Sequence, residues 1–278
     1  MIIWIASYPK SGNTWVRLFL KAYFSLLNNK VFNINSKNEK ISSFYSFPNI
    51  GRMIDLNIDY TKFEEITKNW IFMQDRINLN NKTNFLKTHN AMCTINNNKF
   101  TDKNNTLGAI YLVRDPRDIV ISYSHHLGKS NSEVVENLIN PMHYEYAKHE
   151  DNTYRNTIMG KWSDHYNSWK SYKTSKLLFL RYEDLINNSI KSFSKILKYL
   201  NQINGLEFDE KKMLDAINQT SFKNLQKQED LYGFNEQTGK GRFFRKGQVG
   251  DYLKNLDNKL INKIEKTFYK EMKELNYL

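Results

Sequence analysis

The segment from Tyr8 to Trp15 places a lysine, a glycine and a threonine between an apolar run, Ile2–Ala6, and a helical pattern. A strand–loop–helix of this kind directs several main-chain N–H groups toward one point at the positive end of the helix dipole. Lys10 adds a cation, Thr14 adds a hydroxyl donor, and Gly12 permits close approach of the backbone. The pattern favours a phosphate or sulfate site, and the alternative is a turn with a solvated lysine.

This loop does not have the order of a triphosphatase loop. In the pattern GxxxxGK[ST] the lysine follows the glycine and directly precedes a magnesium-binding Ser or Thr. Here Lys10 precedes Gly12. That order disfavours a kinase or ATPase and indicates a phosphate chemistry that does not depend on magnesium.

A second cationic segment lies at residues 111–126. Arg114 follows the β-like run Ala109–Val113, Asp115 and Pro116 are typical of a helix start, and Ser122 lies about two turns along that helix. An arginine at a strand end with a helical serine can bind a second phosphate. The alternative is a network of surface ion pairs among the charged residues at positions 114, 115, 117 and 118.

Two further segments carry groups that suit such a site. His89 and Lys87 follow the β-like run Asn84–Leu86, although a lone histidine is more often structural than catalytic. Residues 245–256 are basic and glycine-rich, which is also typical of a flexible, solvated loop. Each of these signals is weak when it is taken alone.

In order, these segments resemble the motifs of the cytosolic-type sulfotransferases, which use 3′-phosphoadenosine 5′-phosphosulfate (PAPS). Residues 8–15 resemble the 5′-phosphosulfate loop, with Asn13 where the family usually has threonine. Residues 111–126 resemble the 3′-phosphate segment. Residues 245–252 resemble the carboxyl-terminal RKGxxGDW segment, with Tyr252 in place of tryptophan. The motifs together span residues 7–252.

The resemblance implies roles for individual residues. His89 would be the general base for a hydroxyl acceptor, since an ordinary imidazole has a pKa of about 6.5, and Lys10 and Lys87 would offset charge during transfer. PAPS would be the donor, adenosine 3′,5′-bisphosphate (PAP) the product, and no metal would be required. The expected donor-binding residues are Lys10, Ser11, Gly12, Asn13, Thr14, Trp15, Arg114, Ser122, Tyr182, Thr220, Phe222, Arg245, Lys246 and Gly247.

Four β-like runs separated by helical patterns predict an α/β fold. The runs are Ile2–Ala6, Asn84–Leu86, Ala109–Val113 and Leu177–Leu180, and the helical stripes lie within residues 16–24, 162–172, 190–200 and 260–272. We expect a single domain over residues 1–278 with a central, mainly parallel sheet flanked by helices and a P-loop-like first turn. The aromatic stripe that begins at Trp162 is expected to pack in the core.

Two irregular stretches, residues 33–60 and 226–250, interrupt these patterns. Long loops in a compact domain often carry function, so residues 33–60 and 226–244 are the expected walls of the acceptor site. Their aromatic residues suit an apolar pocket or a sugar face, and ordinary packing explains them equally well. These aromatic residues are Phe44, Tyr45, Phe47, Phe243 and Phe244.

The composition limits the partners and the compartment. A net charge of +12, from 41 basic and 29 acidic residues, favours anionic ligands, but no nucleic-acid-binding module is recognisable. The single cysteine, Cys93, excludes a disulfide framework and suits a cytoplasmic protein, and the histidines show no metal-binding spacing.

No apolar run approaches the roughly 18 residues of a membrane span, and no secretion signal is expected. The dimerisation motif KxxxTVxxxE of the animal enzymes is not matched from Lys254 onward, which leaves the oligomeric state open.

Two other classes of function compete with sulfuryl transfer. A small-molecule or nucleotide kinase would share the fold, but it would need magnesium and a lysine placed after the glycine. A non-catalytic anion-binding protein would keep the basic loops but would have no use for His89.

Overall fold

The computed structural model describes residues 1–35, 46–48, 59, 62–148, 154–173, 176–237 and 241–278. The strands are β1 (Ile2–Ser7), β2 (Asn84–Thr88), β3 (Thr94–Ile95), β4 (Asn98–Lys99), β5 (Thr106–Val113), β6 (Tyr144–Lys148), β7 (Tyr154–Ile158) and β8 (Lys176–Arg181). The helices are α1 (Asn13–Leu27), α2 (Phe63–Lys68), α3 (Trp70–Asn78), α4 (Pro116–Leu127), α5 (Asn131–Ile139), α6 (Trp162–Lys170), α7 (Tyr182–Asn187), α8 (Ser189–Asn204), α9 (Glu210–Gln219), α10 (Phe222–Tyr232), α11 (Tyr252–Asn255), α12 (Asn258–Thr267) and α13 (Tyr269–Glu274).

Within the described part of the chain, the central sheet has four parallel strands in the order β2–β1–β5–β8. The register pairs Ala6 with Thr88, Ser7 with Leu112, and Val113 with Arg181, so the carboxyl ends of all four strands lie at one edge. Ligands of open α/β sheets bind in the crevice at this edge. The sheet therefore brings together the loop after β1, His89 after β2 and the residues that follow β5 and β8.

Helices cover both faces of this sheet, and alternate residues of β1 point into the two layers. Trp4 packs in one layer with residues such as Tyr111 and Trp169, while Ile5 packs in the other with Phe19. All residues of β1 are buried, which explains its continuous apolar sequence. The chain is a single α/β domain, and the predicted parallel sheet flanked by helices is confirmed.

All four β-like runs form strands of the central sheet, but some elements differ from the sequence prediction. The β6–β7 hairpin was not predicted; its polar, alternating residues carry only a weak signal. Residues 226–232, predicted to be irregular, belong to α10. The carboxyl-terminal stripe is divided at Phe268 into α12 and α13. The aromatic stripe of α6 is buried as predicted, with Trp162 and Trp169 inaccessible.

In the ranges that the structure describes, no helix is both long enough and apolar enough to cross a membrane.

Candidate active site

The loop between β1 and α1 is shaped by one glycine. Gly12 has a φ of 94°, and a Cβ at this position would lie 2.7 Å from Tyr182 Cδ2. The close approach packs the loop against the residue that follows β8. Across the described residues no side chain caps the amino terminus of α1, so its first N–H groups are directed toward the loop. This arrangement suits an anion.

Two buried polar atoms in this region lack a hydrogen-bond partner among the described residues: Ser11 Oγ and Arg114 Nε. A buried donor without a partner costs about 1–3 kcal/mol, so such groups are usually satisfied by water or a ligand. Both atoms belong to segments that the sequence assigns to anion binding. Their chemistry fits an anionic ligand that accepts hydrogen bonds.

Arg114 joins three segments. It donates from Nη1 to the Lys10 carbonyl at 3.1 Å and from Nη2 to the Gln248 carbonyl at 3.0 Å. Its guanidinium carbon lies 4.2 Å from the centre of the Tyr182 ring.

The ion pairs of the alternative interpretation are present, since Arg114 lies 3.8 Å from Asp118 and Arg117 lies 2.6 Å from Asp115. All four side chains are buried, so these pairs form inside the protein and not at its surface.

The glycine-rich segment at residues 245–252 folds back onto the start of α4. The Asp118 carboxylate accepts hydrogen bonds from Gly250 N at 2.8 Å and Tyr252 N at 3.1 Å. The Tyr252 ring, which replaces the family's tryptophan, lies 4.2 Å from the Arg117 guanidinium carbon. Specific contacts therefore hold this segment in place. Its basic, glycine-rich composition is also typical of a flexible loop and did not predict them.

Gly247 is expected to be required at its position. It has a φ of 58°, and a Cβ there would lie 2.4 Å from Phe222 Cδ2. We expect Gly247→Ala to displace Phe222 and weaken PAP binding about 3- to 10-fold, since left-handed strain and repacking cost on the order of 1 kcal/mol. Isothermal calorimetry measures the change. The control is Gly205→Ala, a left-handed glycine at the end of α8 whose added Cβ would meet nothing within 4 Å, and an equal loss in both variants would contradict the expectation.

His89 is oriented by β1. Its Nδ1 lies 2.7 Å from the Ser7 carbonyl oxygen and 3.2 Å from Ser7 Oγ. Because a carbonyl only accepts, Nδ1 carries the ring proton and Nε2 carries the lone pair. This tautomer leaves Nε2 as the atom that can accept a proton.

A second histidine supports the main chain of His89. His165 is fully buried, and burial lowers its pKa to about 4, so it is neutral. Its Nε2 donates to the His89 carbonyl at 3.1 Å, which leaves Nδ1 to accept from the Tyr111 hydroxyl at 2.8 Å. No sequence pattern indicates this role, because His165 lies within the aromatic stripe of α6.

The side chain of Lys10 has a lowered pKa and loses its proton more readily than an ordinary lysine. Burial, and then the charge of Arg114, lower the pKa of Lys10 to about 8. Its Nζ lies 4.9 Å from the centre of the Phe243 ring. Since an anion nearby favours the protonated form, the loop is most attractive to anions when Lys10 is charged.

We expect PAP affinity to fall as the pH rises through about 8, because Lys10 in the protein without ligand then loses its charge. Binding near pH 8 should take up protons, since the bound anion raises the pKa of Lys10. Calorimetry in two buffers of different ionisation enthalpy measures this uptake. It should disappear in Lys10→Met, and proton release on binding in the parent would contradict the assignment.

Most of the predicted site residues line one cavity of about 500 Å³. It is lined by every predicted catalytic and donor-binding residue except Ser11 and Thr220. Thr220 is fully buried: its hydroxyl donates to the Ala216 carbonyl, and its own carbonyl accepts from Trp15 Nε1 at 2.8 Å. Thr220 thus orients Trp15 and does not reach the cavity. The convergence of distant segments makes this cavity the candidate active site.

The side chain of Asn13 forms hydrogen bonds with other residues of the protein. Its Nδ2 donates to the Ile5 carbonyl at 2.9 Å and to Ser7 Oγ at 3.3 Å, while its Oδ1 accepts from Arg17. Any contact of Asn13 with a ligand therefore rests on its main-chain N–H. The asparagine also connects α1 to Ser7, the residue that orients His89.

The predicted acceptor walls are only partly described. Phe44 and Tyr45 lie outside the described residues. Phe47 is buried in the core against Trp4 and Phe100, so ordinary packing explains it. Phe243 and Phe244 line the cavity, and their role in acceptor binding stays a prediction.

The cavity also contains residues that sequence reasoning missed. Tyr123 donates a hydrogen bond to Glu145 at the start of the β6–β7 hairpin, and both line the cavity. Arg17 and Glu236 form an ion pair beside the loop. Sequence patterns did not indicate these contacts, because the patterning around residue 145 is weak and Arg17 and Glu236 are 219 positions apart in the chain. Among the described residues, no group of three His, Cys, Asp or Glu side chains is arranged to hold a metal ion.

Comparison with known proteins agrees with this geometry. The model of the sulfotransferase domain family matches residues 2–276. The chain belongs to the sulfotransferase domain family. It is 25% identical over 281 residues to the amine sulfotransferase of Oryctolagus cuniculus, covering 98% of this chain and 81% of that protein. It is 26% identical over 256 residues to sulfotransferase 1B1 of Mus musculus, covering 89% of this chain and 75% of that protein.

Solved structures show the same fold. The crystal structure of mouse sulfotransferase SULT7A1 complexed with PAP superposes with a TM-score of 0.60 at 20% identity, covering 98% of this chain and 84% of that one. Retinol dehydratase in a complex with retinol and PAP superposes with a TM-score of 0.62 at 18% identity, covering 98% and 81%. At these identities the structures establish the fold of this sulfotransferase.

Proposed function

We propose that this sulfotransferase transfers the sulfuryl group of PAPS to a hydroxyl of an acceptor molecule. The observation that carries the proposal is the convergence of the Lys10–Thr14 loop, His89, Arg114 and the segment at residues 245–247 on one cavity. The structures of SULT7A1 and retinol dehydratase contain PAP, which supports the same nucleotide here. We also propose that residues 1–278 form one sulfotransferase domain.

The residues of the cavity fit a nucleotide with two anionic groups. The loop amides, Lys10 and Ser11 would hold the 5′-phosphosulfate, which supplies the sulfuryl group when bound. Arg114 and Ser122 would hold the 3′-phosphate with Arg245 and Lys246. Arg114 Nε, an orphaned donor of a residue that lines the cavity, is one that such an anion would satisfy. Ser11 is fully buried and does not line the cavity, so its contribution would rest on its main-chain N–H. The aromatic side chains suited to the adenine ring are Trp15, Tyr182 and Phe222.

The chemistry assigned to the protein is proton transfer and charge stabilisation. His89 Nε2 accepts the proton of the acceptor hydroxyl, because Nδ1 is committed to Ser7. Lys10 and Lys87 both line the cavity and offset negative charge on the transferring group and the leaving phosphate. Positioning and fixed positive charge are the main protein contributions to an in-line transfer of this kind.

The acceptor is proposed only as a hydroxyl compound: a phenol, an alcohol or a saccharide. Phe243 and Phe244 supply apolar surface, whereas Glu145 and Tyr123 supply polar groups. The relatives do not narrow the choice, since their names include an amine sulfotransferase and a flavonol 3-sulfotransferase.

A screen with sulfur-labelled PAPS and phenols, steroids, amines and oligosaccharides tests this function. We expect label on a hydroxyl oxygen. Label on amine nitrogen alone would contradict the choice of acceptor. PAP binding without turnover of any acceptor would favour a non-catalytic anion-binding protein, and phosphoryl transfer from ATP with magnesium would favour a kinase.

A further inference from the structure

Arg17, on the first turns of α1, has a side chain that is only 1% exposed and contacts three residues of the donor side of the cavity. Its Nε donates to Asn13 Oδ1 at 2.8 Å, and its Nη2 donates to Thr14 Oγ1 at 2.9 Å. Nη1 and Nη2 also donate to the two carboxylate oxygens of Glu236, at 2.7 and 2.6 Å. One planar guanidinium thus fixes the loop relative to the segment that contains Glu236.

This contact determines the direction of the Thr14 hydroxyl proton. A hydroxyl has one proton, and Thr14 Oγ1 already accepts from Arg17, so its own proton must point to another acceptor. Glu236 Oε2 lies 3.5 Å away, which is the limit of a hydrogen bond. An anion on the loop can offer a nearer acceptor for this proton.

Glu236 also places a negative charge beside this anion site. Burial favours its neutral form, but the charge and hydrogen bonds of Arg17 and the charge of Lys87 lower the pKa of Glu236 to about 2. The carboxylate lines the same cavity as Lys10 and Thr14. An ionised carboxylate here repels any anion that the loop binds.

We propose that Arg17 positions the Thr14 hydroxyl for the anionic group of the donor, and that Glu236 lowers the affinity of the same subsite for anions. This inference rests on the proposed function. Glu236 holds Arg17 in place through both of its carboxylate oxygens. The two partners of one ion pair therefore affect PAP affinity in opposite directions.

Calorimetry with PAP on the full-length protein tests the proposal, with Glu236→Gln and Arg17→Lys as the variants. Glu236 also raises the pKa of Lys10, so the two proteins are compared at about pH 6.5, where Lys10 is charged in both. Under this condition Glu236→Gln removes the repelling charge and should tighten PAP binding at least about threefold. Arg17→Lys retains the charge but loses the planar guanidinium that makes the contacts to Asn13, Thr14 and both oxygens of Glu236, so it should weaken binding at least about threefold. An ion pair that only stabilises the fold would weaken binding in both variants or change it in neither.

The matched control is Glu271→Gln, since Glu271 is also buried and hydrogen-bonded but lies outside the cavity. Its PAP affinity should stay within about twofold of the parent. Weaker or unchanged binding by Glu236→Gln overturns the assignment of Glu236, and parent-like binding by Arg17→Lys overturns that of Arg17. If thermal unfolding shows that Glu236→Gln does not fold, Glu236→Ala removes the same charge and takes its place, with the same expected and contradicting results. A parent that does not bind PAP refutes the proposed function instead.

Discussion

Replacing His89 with asparagine is expected to lower kcat by about 10²- to 10⁴-fold, the usual contribution of a general base. Asparagine can still donate a hydrogen bond toward Ser7, but it cannot accept the acceptor's proton. PAP affinity should stay close to the parent value, because no step of donor binding is assigned to the ring. Initial rates with the acceptor found in the screen, together with PAP calorimetry, measure the two quantities separately.

The control for this variant is His125→Asn, which changes an exposed histidine on α4 that does not line the cavity. Its kcat should remain near that of the parent. A His89→Asn protein that keeps kcat within about threefold of the parent would show that another group, or no group, removes the proton.

Replacing Arg114 with alanine is expected to weaken PAP binding about 10- to 150-fold, the value of a charge-assisted contact of about 1.5–3 kcal/mol. The loss should be specific for the 3′-phosphate. Binding of adenosine 5′-monophosphate, which lacks that group, should change much less. Calorimetry with both nucleotides therefore tests which phosphate the guanidinium holds.

Arg242→Ala is the matched control for net charge, because Arg242 is an exposed arginine paired with Asp230. It should leave both affinities near the parent values. Equal losses for PAP and adenosine 5′-monophosphate in Arg114→Ala would contradict the 3′-phosphate assignment and would indicate that Arg114 serves the fold of the loop.

Sequence patterns predicted the strands of the central sheet and the loops that follow them, because these depend on residues close together in the chain. The continuous apolar run of β1 is buried on both sides, and parallel strands place their carboxyl ends together, so the loop at residues 8–12, His89 and Arg114 had to meet. The positions of these segments therefore followed from the motifs and the fold class. The roles of individual residues in binding and catalysis stay predictions.

Other features depend on contacts between residues far apart in the chain. The side chains of Asn13 and Thr220 are committed to protein partners, which their motifs do not show. The support of His89 by His165 crosses 76 residues, and the pairing of Arg17 with Glu236 crosses 219. A sequence pattern records spacing along the chain and does not record such tertiary pairings.

Titration of the purified protein with PAP, in competition with ATP and magnesium, distinguishes a PAPS-dependent sulfotransferase from a kinase. We expect PAP to bind with at least about tenfold higher affinity than ATP, because ATP lacks the 3′-phosphate assigned to Arg114, and we expect EDTA to leave PAP binding unchanged. Tighter binding of ATP with magnesium, or loss of PAP binding in EDTA, would show that the cavity is not a PAPS site.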